Sequence, residues 1–107
     1  MGLLNNLELI AALNRDGVHF ETLEVTDEVQ GLQEIPANAK SALIQVESDV
    51  ADKAIRYRED GGDPTSTVGM FVGNGGPFDL CTRKCLENFK VIQATAGTTQ
   101  LNITYYK

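Results

Sequence analysis

The sequence has no tryptophan, one histidine, two cysteines and three prolines, and its nine Lys and Arg face fifteen Asp and Glu. Each shortage excludes something. Without Trp, and with only four Phe and three Tyr, a core must come mainly from Val, Ile, Leu and Phe. A single histidine, His19, with Cys81 and Cys85 falls short of a four-ligand zinc site. The formal net charge of −6 repels a phosphate backbone. The densest basic pairs, Arg56 with Arg58 and Arg83 with Lys84, are too small to reverse that, so no nucleic acid partner is expected. No apolar run reaches the roughly 18 residues of a membrane span, and no membrane partner is expected either. The N-terminus lacks the basic start of a secretory signal. It also carries Asn6 where myristoylation requires Ser or Thr. The chain is expected to be made and used without crossing a membrane, which leaves the sequon at Asn102 idle.

What is present fits one domain of 107 residues. Leu3, Leu7, Ile10 and Leu13 recur at helical spacing, with Leu4 beside them, and residues 14–17 read as a stop. Residues 1–17 are thus expected to form a short helix or an arm, packed on this domain or on a neighbour. From residue 18 the pattern changes to strands. Residues 18–25 mix β-branched and aromatic residues with polar ones, and residues 26–39, holding Gly31 and Pro36, read as a long loop. Ala42, Ile44 and Val46 alternate with Leu43, Gln45 and Glu47. Ile55 and Tyr57 alternate with Arg56 and Arg58. Strands are also expected over 67–72, 78–80, 89–95 and 100–106, with Leu101, Ile103 and Tyr105 on one face of the last. Residues 82–88 read as a polar connection, without regular helices between strands. Short strands with turn signals about every ten residues argue for an all-β fold. The expectation is a single antiparallel β-sandwich over residues 18–107, Ig-like or jelly-roll-like.

Gly73-Asn74-Gly75-Gly76 lacks the Lys and hydroxyl of a phosphate-binding loop and leads into a strand, so a hairpin turn is expected. Glu59-Asp60-Gly61-Gly62-Asp63-Pro64 does not follow calcium-loop spacing. It reads as a turn in which Asp60 bonds the backbone two residues on and Gly61 or Gly62 takes a left-handed conformation. His19, alone in a strand, reads as structural or exposed, and no serine stands in a nucleophile motif. No catalytic residue, cofactor or metal is expected. Cys81 and Cys85 read as ordinary reduced thiols, then a local disulfide, then a metal site. Arg56 and Arg58 offer either ion pairs across the sheet or forked donors to a partner's carboxylates. With Leu3, Leu4, Leu7 and Ile10 they are the candidate partner-binding residues.

One stretch carries a resemblance. Ile55-Arg56-Tyr57-Arg58, then Asp60-Gly61, Asp63-Pro64-Thr65 and Val68-Gly69-Met70, resembles a pattern in small virion proteins of tailed bacteriophages. The closing half is similar too: Phe89-Lys90-Val91-Ile92, a small-residue turn at Ala96-Gly97, and Leu101-Asn102-Ile103-Thr104-Tyr105-Tyr106. The likeness spans about residues 39–106. It implies a β-sandwich on a phage particle, a head decoration (cement) protein binding the major capsid protein. It also implies a homo-oligomer, with a trimer favoured, and a location in the virion, assembled in the bacterial cytoplasm. The alternatives are a neck or tail connector and a glycan-binding accessory module, since a similar turn occurs in Ig-like accessory domains of carbohydrate-active enzymes.

Overall fold

The structure, a computed structural model, describes residues 15–107. Leu3, Leu4, Leu7 and Ile10, and the helix or arm expected there, lie outside the described residues. The strands are β1 (Gly17–Glu24), β2 (Ser41–Ser48), β3 (Ile55–Arg58), β4 (Met70–Val72), β5 (Pro77–Leu80), β6 (Lys90–Gln93) and β7 (Thr99–Tyr106). A helix, α1 (Arg83–Asn88), stands between β5 and β6. Two antiparallel sheets result, one in the order β1-β7-β2-β5 and one in the order β4-β3-β6. The fold is an all-β sandwich.

Alternation decides which side chains meet. Along β7, Thr99, Leu101, Ile103 and Tyr105 are buried while Gln100, Asn102, Thr104 and Tyr106 are half-buried on the other face. Beside it, Ala42, Ile44 and Val46 of β2 point the same way. These side chains pack with Leu80, Leu86, Phe89, Val91 and Ile55 into one core. Each fully buried aliphatic there contributes roughly 1.5–3 kcal/mol. Where the sheets meet near β5, Tyr57, Phe78 and Phe89 stack, the first two with centroids 4.4 Å apart.

Three sequence expectations need correction. Residues 82–88 are not a plain polar connection: Thr82 caps a six-residue helix by accepting from the Cys85 amide at 3.2 Å. Leu86 of that helix is buried in the core. Its Arg83 donates to the carbonyls of Pro36 and Ala39, at 2.6 and 3.0 Å, fastening the long loop before β2. The second correction concerns the glycine loop, which is not a hairpin, because β4 and β5 belong to different sheets. Only Gly75 there has positive φ, +84°, whereas Gly73 is small because a Cβ would strike the carbonyls of Ala51 and Asp52. The third is the strand expected from residue 67, which begins only at Met70. Thr65 holds the amides of Thr67 and Val68 in a turn, and Gly69 follows at φ +129°.

Candidate functional site

The stretch from Ile55 to Val72 forms the hairpin joining β3 to β4, and this hairpin also carries the most distinctive surface. Its loop is built as the sequence suggests: Asp60 Oδ1 accepts from the Gly62 amide at 3.1 Å, and Gly61 has φ +91°. Asp60 also holds Arg58 through two contacts, 3.0 and 2.7 Å long. That hydrogen-bonded guanidinium, helped by the Gly62 amide, lowers the Asp60 carboxyl to about 2. The same pairing raises the Arg58 pKa.

Arg56 is placed differently. Its guanidinium donates to the carbonyls of Gly69, at 2.8 Å, and Ser66, at 3.3 Å, so it staples the loop to β3. Its Cζ lies 5.3 Å from the centroid of Phe71, and the Lys53 Nζ lies 5.0 Å from the same ring. Each cation is within the distance at which a cation–π attraction to the ring operates. Neither arginine forms the ion pair across the sheet that its position allows: Arg58 pairs within its own turn, and Arg56 bonds carbonyls.

Register extends this into a surface. Arg56 stands opposite Phe71 on β4 and Ile92 on β6, and Arg58 stands opposite Lys90. Directly paired residues share a face, so Arg56, Arg58, Lys90, Phe71 and Ile92 line the outer face of the three-stranded sheet. With Lys53, four of the chain's nine Lys and Arg gather here, in a protein of net charge −6. Among the described residues, only Arg58 of these four has a carboxylate partner within ion-pair distance. Beside this face lies an apolar rim, with Val68 51%, Met70 65% and Phe71 51% exposed. An open cleft of about 270 Å³ is lined by Tyr57, Arg58, Glu59, Asp60, Val68, Gly69 and Met70, so two carboxylates stand beside the exposed apolar groups. Such a mixture of exposed apolar groups and charged groups suits a macromolecular contact. The other exposed phenylalanine, Phe20, is on β1 in the four-stranded sheet, so it and Phe71 do not form one aromatic platform.

A second cluster escaped the sequence reading. Glu21 is only 4% exposed, accepting hydrogen bonds from the Tyr105 hydroxyl and, at 3.1 Å, from the Glu34 amide. His19 Nε2 lies 2.8 Å from Glu34 Oε1, and its ring stacks on Tyr105. Burial, then the hydrogen bond to Glu21, then the charges of Glu21 and Glu34 raise the Tyr105 pKa. The arrangement keeps the phenol protonated and ties the 26–40 loop to the inner face of β1 and β7. A carboxylate within an alternating strand normally faces water, so only the hydrogen-bond geometry reveals this one as internal.

Cys81 and Cys85 are both free thiols, the first exposed and the second half-buried at the helix start. Among the described residues, no group of three or more His, Cys, Asp or Glu is arranged to hold a metal ion, and no helix is long and apolar enough to span a membrane. Fold and surface together define an all-β sandwich with a cationic, partly apolar face. Beyond that class, no protein-family model, curated protein or solved structure matches the chain.

Proposed function

We propose that this chain is a structural protein of a tailed-phage particle, a decoration (cement) protein that binds and stabilises the shell of major capsid protein. The reading begins with the hairpin sequence and is supported by one observation above all. An acidic protein concentrates Lys53, Arg56, Arg58 and Lys90 around Phe71 and Ile92 on one small sheet. A face of this kind orients the protein toward a carboxylate-bearing surface, while the rest of the chain is repelled by it. The Arg58–Lys90 row supplies charge, and Ile92 supplies apolar contact between the strands. Repeated over a shell, many modest contacts of this kind hold the lattice joints without any single strong site.

Quantitative mass spectrometry of purified particles tests this by counting the chain against the major capsid protein. The expected result is one copy per capsid subunit, or a simple fraction of that. A count of about twelve, as a single symmetric ring would supply, would move the protein to the neck or tail. Absence from particles would overturn the virion reading.

A further inference from the structure

The four-stranded sheet also has an outer face, and its middle is uncharged. Phe20, Thr104 and Leu43 stand side by side across β1, β7 and β2, and Thr22, Asn102, Gln45 and Pro77 form the next outward row across all four strands. An open groove of about 250 Å³ is lined by Phe20, Leu43, Gln45, Pro77, Asn102 and Thr104. Phe20 is 55% exposed and is, among the described residues, the one large hydrophobic of this sheet so open to water. Charges stand at the margins: Asp79 pairs with Arg15 at 3.3 Å, Glu47 accepts from Asn102 Nδ2 at 3.1 Å, and Glu24 lies opposite Gln100 in the following outward row. The exposed apolar groups of the three-stranded sheet differ, since Lys53, Arg58, Glu59 and Asp60 surround them.

The described chain begins on this same face. The Asp16 carbonyl accepts from the Lys107 amide at 3.1 Å, so the ladder between β1 and β7 continues past Gly17. One residue earlier, the Arg15 guanidinium lies 4.2 Å from the centroid of Tyr106 and reaches Asp79 on β5. Tyr106 is on the outer face of β7, and Asp79 stands opposite Leu43. The Arg15 Nε is buried and lacks a hydrogen-bond partner among the described residues, a donor left for chain laid over this face. Fourteen residues precede Arg15, with Leu3, Leu7, Ile10 and Leu13 at helical spacing and Glu8 as their only charged side chain. At a helical rise of about 1.5 Å per residue they span about 20 Å. Four strands about 4.8 Å apart span about 14 Å, so the segment is long enough to cross the sheet.

We propose that residues 1–14 lie back across the outer face of the four-stranded sheet of their own chain, with the stripe of Leu3, Leu7 and Ile10 seated in the groove beside Phe20 and Leu43. The stripe is apolar and the groove uncharged, so their contact removes hydrocarbon from water without stranding an ion. Because the segment is tethered at Arg15 on the same face, its docking is intramolecular and outcompetes the same segment of a second copy. Leu3, Leu7 and Ile10 then serve the molecule's own sandwich, and a partner is left to the three-stranded sheet. The inference goes beyond the capsid reading and does not depend on it.

Nuclear Overhauser contacts in the purified full chain, labelled at its Leu and Ile methyls, test the proposal. Contacts from the Phe20 ring to the methyls of Leu7 or Ile10 are expected at every protein concentration. Their absence overturns the proposal, and that result does not depend on how any variant folds. A sample mixing labelled with unlabelled chains separates a chain's own segment from a neighbour's. Contacts that arise only between copies would overturn the proposal as well. Phe20→Ser removes the ring and should speed amide exchange at residues 3–13 by about tenfold or more. Exchange there that matches the wild type would count equally against it. Copy number on particles moves none of these results, so this inference and the decoration role fail separately.

Discussion

The two sheets of this sandwich divide the work of the molecule. In the four-stranded sheet, β1, β2 and β7 are eight residues each and pair through nearly their whole length, and β2 and β7 send a largely apolar row inward. In the three-stranded sheet the strands have only four, three and four residues, and its edge strand β4 buries none of them. What that sheet lacks in length is made up by loop contacts: Arg56 to the carbonyls of residues 66 and 69, and residues 26–30 alongside β6. Stability is thus concentrated in one sheet. The other is held well enough to present a shaped, charged and partly apolar surface, and its exposed residues are free to serve contacts.

The largest test of that contrast sets a residue of each sheet against the other. Ile103→Ala, at the centre of β7 and fully buried, should lower stability by about 2–5 kcal/mol, the transfer and cavity cost of a core aliphatic. Phe71→Ser, a larger truncation in chemical terms, should cost less, about 1–2 kcal/mol, because half of that side chain already faces water and only its other half and its two cation–π contacts are lost. Urea unfolding of the two variants measures both. Equal costs would mean that Phe71 belongs to the core and that the division between sheets is false.

A smaller effect is expected where the loop between β1 and β2 is tied to the regular sheet. Tyr105→Phe removes the hydroxyl that donates to Glu21 and leaves a buried carboxyl one donor short, a loss of about 1–3 kcal/mol. Amide exchange in residues 26–40 should accelerate more than exchange in β2 or β7. The wild type should also show an alkaline limb that the variant lacks. The Tyr105 pKa is raised in the folded state, so its contribution is complete below its ordinary value of 10.0 and declines as pH rises above that value. Uniformly faster exchange across the whole sheet would show that the hydroxyl supports the core and is not a local tie.

Much of the regular sheet was legible in the sequence. Leu101, Ile103 and Tyr105 alternate without interruption, as do Ala42, Ile44 and Val46, and period-two burial is a strong signal wherever one face is wet. The turn at Asp60 was equally readable, because an Asx turn followed by glycine is local chemistry. The irregular parts depend on contacts remote in sequence and were missed for that reason. The helix Arg83–Asn88 shows a single buried apolar residue, Leu86, too few for a helical period to register. Gly73 is required by carbonyls of residues 51 and 52, which no turn rule connects to it. As for the candidate surface, Arg56 and Arg58 could be singled out from the sequence. Their partnership with Lys53, Phe71 and Lys90 needed the register of three strands. The burial of Glu21 left no local signature.

The smallest effect lies in the hairpin that carries the surface, and it has a defined pH window. Asp60 is held at about 2 against an ordinary value of 3.8, chiefly by its hydrogen bonds from Arg58 and then from the Gly62 amide. A carboxylate lowered in this way contributes stability that is complete above its unfolded value and is lost as pH falls through its folded one. The pair lies at the surface, where solvent screens it, so the thermal midpoint should respond only slightly. Asp60→Asn keeps an oxygen for the Gly62 amide but removes the charge opposite Arg58. The wild type should therefore melt slightly above the variant near neutral pH, and the gap should close between pH 3.8 and about 2. In the variant Arg58 is released, adding a fully free cation to the outer face, so particle or partner binding should strengthen even as the hairpin loosens. A gap in melting temperature that persists at pH 2 would assign the role of Asp60 to turn geometry, and the three-stranded sheet would then owe none of its hairpin to charge.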